Sequence, residues 1–290
     1  MKKKLLITGI IIAIAAVLLW LPLSRYPVSL AVMKVYSGIH ERDSVMEKKG
    51  ISLEIPGGDA TGEKDWYPFV MTFNDSAGFR QFIGENDWSK VYGAKAPLEL
   101  TILYNFPAFD LLKGCSLLYN PESPYYNSFY GAYLVSGRTA EGSPYGFSAD
   151  GSLDLEAASQ VPRYDFQKLV LADLGVSENQ EVFDWKLQSV QKSIDYAGSS
   201  GWTRLDALLT VNGVIHHDKG FRRSYLQYGS CAYKPEDYGL EAFAPVHMKG
   251  RLYGKYFAIW DTSVFFYIMA SDEGVLDRCD AEILSKSVLK

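Results

Sequence analysis

The sequence predicts an α+β protein in which a single N-terminal transmembrane helix is followed by a mostly antiparallel sheet with short helices. The first observation is an apolar run without charge at residues 5–23. The second is a series of short segments rich in β-branched and aromatic residues, bounded by turn residues, which is typical of strands. The third is helical spacing of apolar residues in only a few stretches between these segments.

The apolar run decides where the protein is expected to work. At ~1.5 Å per residue, residues 5–23 can cross the ~30 Å hydrocarbon core of a bilayer. Three lysines precede the run, and Trp20 and Tyr26 stand near its far end, where aromatic side chains anchor at the interface. We therefore expect a retained signal-anchor. Cleavage near the small residues Ser29 and Ala31 is the alternative, although this run is longer than the apolar region of most signal peptides.

The charged tail sets the expected orientation. Residues 1–4 should be a cytoplasmic tail, because three lysines and the amino terminus are costly to move across a bilayer. The bulk of the chain then lies outside the cytoplasm, and the lipid bilayer is the expected partner of residues 5–23. We predict a juxtamembrane helix and linker at residues 24–49, and two halves of an α+β ectodomain at residues 50–175 and 176–290.

Composition excludes several classes of function. The chain has 29 basic and 34 acidic side chains, and without the three leading lysines the balance is 26 to 34. An acidic ectodomain has no electrostatic reason to bind nucleic acid. Hydrophobic content of 48% with 22% charged residues excludes a disordered stalk. The unusual feature is aromatic, with 20 Tyr, 15 Phe and 6 Trp.

Turn and cap signals separate the elements of the first half. Asn74 or Asp75 should cap a brief helix that buries Phe79. A second helix should have Pro162 in its first turn and end at Gly175. Strands are predicted within residues 50–58, 66–73, 97–106, 115–119 and 127–137.

Two hairpins and a helix are predicted in the second half. The dipeptide Asn212-Gly213 is the strongest hairpin signal in the chain, because both residue types accept the positive φ of a type I′ turn. A second hairpin should turn at residues 261–263, between strands so apolar that both of their faces are expected to be buried. Asp272 should cap a final helix whose inward face carries Cys279.

Two groups of residues are candidate ligand-binding sites. Tyr125 and Tyr126 lie in a tyrosine-rich segment and could form a rigid amphipathic surface that binds a sugar ring or a peptide. Arg222 and Arg223 belong to a small basic patch in an otherwise acidic domain, and could contact an anion or a protein partner. The alternative for the tyrosines is packing in the core, and the alternative for the arginines is a solvated turn.

The sequence predicts neither a metal site nor a cofactor. His216 and His217 follow the predicted hairpin and should face opposite sides of one strand, so they cannot jointly bind an ion. The segment with Asp150, Asp154 and Glu156 lacks the first carboxylates and the bidentate glutamate of a calcium-binding loop. A loosely held cation there is the alternative to a polar turn.

The cysteines do not predict a disulfide framework. Three cysteines are too few for one in an oxidising compartment. Cys279 is predicted to be a buried thiol, and a bridge between Cys115 and Cys231 is left open.

These observations favour a membrane-anchored, extracytoplasmic and non-catalytic binding or assembly module, whose aromatic-rich surface contacts a protein or an envelope glycan. The alternative is an extracytoplasmic hydrolase that acts on a cell-surface polymer through a pair of carboxylates, which leaves no local mark in a sequence. A third possibility is an accessory subunit that pairs an exposed strand with a partner, and an uncovered edge strand would support it.

Overall fold

Among the described residues there are eleven strands, six of which have seven residues or more. The computed structural model describes residues 2–57, 66–82, 98–112, 115–138, 142–172, 174–215 and 240–290. In chain order the strands are β1 (Leu53–Glu54), β2 (Met71–Phe73), β3 (Glu99–Asn105), β4 (Phe109–Asp110), β5 (Cys115–Ser116), β6 (Phe129–Ser136), β7 (Phe183–Tyr196), β8 (Ser199–Asn212), β9 (Pro245–Phe257), β10 (Thr262–Ala270) and β11 (Val288–Leu289).

Helices occupy the N-terminal part and the connections. Among the described residues they are α1 (Lys2–Trp20), α2 (Pro22–Glu41), α3 (Val45–Lys49), α4 (Ser76–Phe82), α5 (Leu155–Phe166) and α6 (Glu273–Glu282). A π turn at Gln167–Leu171 continues α5. Short 3-10 turns lie at Leu117–Tyr119, Glu178–Gln180, Leu240–Phe243 and Leu284–Lys286.

Seven strands form one antiparallel sheet in the order β2-β3-β6-β10-β9-β8-β7. β10 lies between β6 and β9, so residues 50–175 and residues 176–290 both contribute strands to this sheet. Two small antiparallel pairs, β1 with β11 and β4 with β5, lie outside this sheet among the described residues. The predicted α+β class with a mostly antiparallel sheet is confirmed.

Apolar side chains cover both faces of the central strands. β10 is buried along its whole length, as its continuous apolar sequence predicts. Alternation along β6 sends Tyr130 and Tyr133 to opposite faces. Tyr133 and Phe265 join the core cluster that includes α5, whereas Tyr130 and Phe266 join the cluster that includes α6. The sheet is therefore the middle layer between two cores.

The first helix is apolar on every side. Between residues 6 and 18, its large apolar side chains are 51 to 65% exposed. Leu21 is extended and separates α1 from α2, and Pro22 occupies the first turn of α2, where its missing N–H leaves no broken hydrogen bond. Among the described side chains, none of the helices combines the length and the hydropathy that a membrane crossing requires.

α2 seals one edge of the sheet. β2 is an edge strand, and the hydroxyl oxygen of Ser37 accepts a hydrogen bond from Thr72 N at 2.9 Å. One helical turn further on, His40 Nδ1 accepts a hydrogen bond from Asn74 N at 3.3 Å. Burial lowers the pKa of His40 in spite of two nearby carboxylates, which favours the neutral ring that this bond needs. Side chains of α2 thus take the place of a further strand.

The opposite edge strand, β7, has no such cover among the described residues. Residues 186–193 are exposed without interruption, and they include the apolar side chains of Leu187 and Val190. Irregularities interrupt the pairing of β7 with β8 after Leu187 and after Gln191, and Ser193 has a φ of 58°. Bulges and lysines on an edge strand limit uncontrolled pairing, so this edge is open but irregular.

The predicted turn at Asn212-Gly213 is wrong. β8 runs to Asn212, which pairs with Pro245 at the start of β9. The side chain of Asn212 accepts a hydrogen bond from Val182 N at 2.6 Å and donates one to Phe243 O at 3.2 Å. These bonds to distant backbone groups hold Asn212 in the strand, where its local turn preference has no effect.

The two hairpin turns described among residues 176–290 lie at other positions than those predicted. β7 and β8 are joined at Ala197 and Gly198, with φ values of 46° and 76°, the positive pair that a type I′ turn needs. Alanine tolerates a positive φ poorly, so the sequence signal there is weak. The second hairpin turns at residues 258–261, because β10 already begins at Thr262.

α5 begins earlier than predicted. It starts at Leu155, where Asp154 Oδ1 accepts a hydrogen bond from Ala157 N at 3.2 Å, and Pro162 lies inside the helix. Proline suits a first turn and normally weakens a helix interior, which is why the sequence favoured a later start. The aspartate cap determines the actual start.

Two other predicted caps are confirmed. Asp75 Oδ1 accepts a hydrogen bond from Gly78 N at 2.8 Å at the start of α4. Asp272 Oδ1 accepts one from Val275 N at 3.0 Å at the start of α6. Cys279 on α6 is buried against the sheet, as predicted.

Gly131 provides a test of the central packing. A Cβ at this position of β6 would lie 2.2 Å from Leu103 O, a backbone atom of the neighbouring strand β3. We expect Gly131→Ala to lower the free energy of unfolding by about 3 kcal/mol, since the two backbones would have to separate. Chemical denaturation in detergent micelles, followed by tryptophan fluorescence, measures the change.

Gly38→Ala is the matched control for Gly131→Ala. Gly38 lies in α2 with no atom within 4 Å of an added Cβ, so we expect a gain of up to about 1 kcal/mol from helix propensity. Equal effects of the two substitutions would contradict the close approach of β3 and β6.

Candidate functional site

The sheet has two distinct ends, and the start of α2 lies at one of them. Tyr26 near the start of α2 stacks on Tyr67 with 5.7 Å between ring centroids, and Tyr67 N donates to Phe106 O just beyond β3. We call this the near end. The far end holds the start of β3, the end of β6 and the β9–β10 turn, because Ser136 pairs with Glu99 on one side and with the first residue of β10 on the other.

A cleft of about 570 Å³ lies at the far end, and we call it the far-end cleft. The loop of residues 142–151 forms one side, and Gly201, Thr203 and Gly254 line it from the sheet. Thr203 and Gly254 are direct partners in β8 and β9. A Cβ at Gly254 would lie 2.7 Å from Leu153 Cδ1, so a side chain there would require Leu153 to move. The volume suits a small ligand or a short segment of a polymer.

Arg138, Tyr256 and Asp261 form a connected group at the cleft. Arg138 Nε donates to Asp261 Oδ1 at 2.9 Å, and its guanidinium carbon lies 5.2 Å from the centroid of the Tyr256 ring. The Tyr256 hydroxyl donates to the same carboxylate oxygen at 2.6 Å, and Arg138 Nη1 donates to Gly142 O at 2.9 Å. The hydrogen bond from Tyr256, with the charge of Arg138, lowers the pKa of Asp261. The group thus holds a planar cation and an aromatic ring in fixed positions.

Aromatic side chains surround the β9–β10 turn. Phe257 and Trp260 are both partly exposed, with 5.0 Å between their ring centroids. Lys255 Nζ lies 4.4 Å from the centroid of the Phe257 ring. Ile259 at the tip of the turn is 84% exposed. The far end therefore presents aromatic, apolar and cationic groups next to a cleft, a combination that is common in binding surfaces.

The predicted ligand-binding tyrosines lie away from this cleft. Tyr125 is buried, meets Trp66 edge-on at 5.5 Å between centroids, and accepts a hydrogen bond from Arg278 Nη2 at 2.5 Å. Tyr126 is half-buried, and its hydroxyl oxygen accepts a hydrogen bond from Val214 N at 3.1 Å. Both side chains thus contribute to packing and to hydrogen bonding. Ligand binding by either one stays a prediction.

Several predicted positions fall outside the described residues. They are Arg222, Arg223, His216, His217 and Cys231. Contact of the two arginines with an anion or a partner stays a prediction, as does a bridge between Cys115 and Cys231. Cys115 itself is buried.

The carboxylates considered for a loose cation site have local roles. Asp150 Oδ1 accepts hydrogen bonds from Ser152 N at 2.9 Å and from its hydroxyl at 2.6 Å, and these bonds lower the pKa of Asp150. Asp154 caps α5, and Glu156 lies in the first turn of that helix. In the part of the chain that the structure describes, no three His, Cys, Asp or Glu side chains are placed to hold a metal ion.

A second charged cluster attaches α6 to the sheet. Arg251 donates from Nε to Asp206 at 2.8 Å, from Nη1 to Asp280 at 2.7 Å and from Nη2 to Asp277 at 3.1 Å. The Tyr253 hydroxyl donates to Asp280 Oδ2 at 2.6 Å. Because all three guanidinium nitrogens have carboxylate partners, this cluster has a structural role.

Asp165 is a buried carboxyl at the junction of α5 and the π turn. Its Oδ2 accepts a hydrogen bond from the Tyr267 hydroxyl at 2.6 Å, and its Oδ1 has no hydrogen-bond partner among the described residues. Burial raises the pKa of Asp165 to about 7, although the bond from Tyr267 opposes the shift. A raised pKa beside a π turn can mark a functional site, but Asp165 does not line the far-end cleft. Its direct consequence is for stability.

The fold and the site define an α+β protein with a seven-stranded antiparallel sheet and a cleft at one end. Comparison of the chain with protein-family models, with curated proteins and with solved structures finds no match. Function has therefore to be argued from the geometry of this chain.

Reasoning from the sequence missed the far-end cleft. Its residues come from β8, β9, a loop and Arg138 just beyond β6, and no short motif joins them. One local signal was present, since glycines recur in residues 142–151. Gly146 has a φ of 76°, and a Cβ there would lie 2.5 Å from the Phe265 ring, so the loop has to lie close against the sheet.

The buried carboxyl of Asp165 predicts a pH dependence of stability. Its folded-state pKa of about 7 lies above the ordinary value of 3.8, so the folded chain holds a proton that the unfolded chain releases. The stabilising effect is complete below pH 4 and is lost as the pH rises to about 7, with a total on the order of 4 kcal/mol. We expect Asp165→Asn to flatten the dependence of the unfolding midpoint on pH between pH 4 and pH 8.

Asp150→Asn is the control for Asp165→Asn, because Asp150 is an exposed carboxyl. It should leave the slope of the unfolding midpoint against pH between 4 and 8 close to that of the wild type. An unchanged slope in Asp165→Asn would show that Asp165 is not the group that makes the unfolding midpoint depend on pH.

Proposed function

We propose that this protein is a membrane-tethered, non-catalytic binding or assembly module whose folded part lies outside the cytoplasm. Residues 5–23 form the tether, residues 1–4 stay in the cytoplasm, and the far-end cleft binds a protein or a glycan of the cell envelope. The single observation that carries the proposal is the arrangement of α1 and the cleft. The exposed apolar helix α1 leads into α2 at the near end of the sheet, whereas the cleft lies at the far end.

Exposure of apolar side chains on all sides of α1 supports the tether. A helix of a water-soluble protein normally has a polar face, whereas a helix that is apolar all round needs an apolar environment. The described side chains at residues 6–18 account for about 20 Å of helix at ~1.5 Å per residue. The remaining apolar residues at 5 and 19–23 extend the run towards the length that a bilayer needs.

The chemistry of the far-end cleft supports binding. Arg138 and Tyr256 bring a guanidinium and an aromatic ring to the lining of the cleft, and Gly201, Thr203 and Gly254 keep the side chains at its sheet side small. Fixed aromatic rings and planar cations bind sugars, peptides and carboxylates at a low cost in side-chain entropy. The ion pair with Asp261 keeps both groups in place before a ligand arrives.

The open edge of β7 favours a second candidate function, that of an accessory subunit in a larger assembly. Its backbone groups on the outer side are not paired with any described strand. An extended segment of a partner could add to this edge by main-chain hydrogen bonds, with Leu187 and Val190 providing apolar contacts. The bulges of β7 would divide such pairing into the regular stretches 183–187 and 189–191.

Charges in the middle of α1 test the tether. We expect the double variant Ile11→Lys/Ile14→Lys to be released from membranes by alkaline carbonate, since each lysine costs about 3 kcal/mol at the centre of a bilayer. The wild type and the control Ile259→Lys, with its charge on the far-end turn, should stay in the pellet. Extraction of the wild type would contradict the tether, and protection of the folded part from protease in intact cells would contradict the orientation.

Photocrosslinking distinguishes the two binding modes. A photoreactive residue at Ser148 reports on the cleft, one at Val190 reports on the open edge, and one at Glu273 on α6 is the control. We expect an adduct at Ser148 in intact cells, with its yield reduced about tenfold by Arg138→Ala through loss of a charge-assisted hydrogen bond.

Digestion identifies the class of the crosslinked partner. A protein adduct is removed by protease, and a glycan adduct is removed by enzymes that cleave envelope polymers. An adduct at Val190 without one at Ser148 would favour the accessory subunit. Equal yields at Ser148 and Glu273 would contradict a specific role of the cleft.

A further inference from the structure

Two leucines at the near end are exposed to an unusual degree. Leu112 is 90% exposed and Leu111 is 47% exposed, and both lie in the turn that follows β4. Single exposed apolar side chains are common on protein surfaces, so it is the position of this pair in the fold that carries information. The chain has an equally exposed counterpart at the far end, Ile259, which serves below as a matched control.

The turn after β4 is held in a defined position. Leu112 N donates to Asp110 Oδ1 at 3.0 Å, which is a local bond between the end of β4 and the second residue after it. β4 pairs with β5, and the Ser116 hydroxyl donates to Pro107 O at 2.8 Å. Residues 111 and 112 therefore follow directly from a paired strand.

Ring contacts connect this turn to the helix that follows the tether. Tyr26 near the start of α2 lies 5.8 Å from Phe109 in β4, measured between ring centroids. Leu112 follows Phe109 by three residues, so its backbone lies within about 10 Å of Phe109 even in an extended chain. Tyr26 is itself six residues beyond the end of α1. The two leucines thus lie at the end of the fold from which the tether leaves.

We infer that Leu111 and Leu112 insert into the interfacial region of the bilayer that holds the tether, which rests on the tether proposed above. The lipid interface is the occupant that fits, because a surface next to the exit of a membrane helix is confined to that interface. Aromatic and leucine side chains partition into the boundary between headgroups and acyl chains. With two contacts, the tether and this turn, the folded part cannot rotate freely about a single helix.

The test uses the full chain in phospholipid vesicles, with an environment-sensitive fluorophore on a single introduced cysteine. Three variants carry the probe, Leu112→Cys, Ile14→Cys in the tether and Ile259→Cys as the exposed control. Cys231→Ser is included in each, and Cys115 and Cys279 are buried and need no replacement. Quenching is measured with nitroxide lipids labelled at a shallow or a deep acyl position, and with iodide in the water.

We expect the shallow nitroxide to quench the Leu112 probe about threefold more than the deep one, since a turn inserted by ~5–10 Å lies close to the shallow label. The Ile14 probe should be quenched most by the deep nitroxide. The Ile259 probe should respond to iodide and to neither lipid. This pattern supports insertion of the turn.

The outcomes separate this inference from the proposed tether. If Ile14 is not quenched by lipid, the tether fails. If Ile14 is quenched and the Leu112 probe behaves like the Ile259 probe, the tether stands and insertion of the turn is overturned. If the Leu112 probe is shielded from both iodide and the nitroxide lipids, protein rather than lipid covers the turn, which also overturns the inference.

Discussion

Two hydrogen bonds from α2 to the edge of β2 determine how the rest of the molecule is arranged. Ser37 and His40 accept from backbone N–H groups that a further strand would otherwise pair. They fix a helix along the edge of the sheet, with its start at the near end and its end towards the far end. Because α1 leads directly into this helix, the same bonds decide which end of the sheet is close to the proposed tether. A free α2 would leave the folded part without a defined orientation.

The two edge strands of the sheet differ in length and in how they are covered. β2 is three residues long and is sealed by side chains of α2. β7 is fourteen residues long, exposed, and interrupted by bulges. Natural proteins normally protect both edge strands of a sheet against pairing with other chains. A long but irregular edge strand such as β7 is consistent with pairing to one specific partner. The role of an accessory subunit is therefore a second candidate function beside binding in the cleft.

The elements predicted correctly are those whose signal lies in residues close together in the sequence. Asp75 and Asp272 cap their helices through groups three residues away, and alternation alone predicted β3. The prediction failed at Asn212, whose decisive partner Val182 lies thirty residues away. The far-end cleft was not predicted for the same reason, since Arg138 and Asp261, which meet there, are 123 positions apart in the sequence. Local propensity carries no information about contacts between residues that are far apart in the sequence. Composition showed only that aromatic residues were in excess.

The separation of the two ends places a limit on what the cleft can bind. The seven residues of β3 span about 20 Å from the near end to the far end at ~3.3 Å per residue. If α1 and the turn at Leu112 both contact the bilayer and the strands stand along the membrane normal, the sheet is a spacer that holds the cleft about this far above the lipid. Lipid headgroups are then out of reach, and so is any partner confined to the membrane surface. The partner has to extend outward from the membrane, as an envelope polymer or the folded part of another protein does.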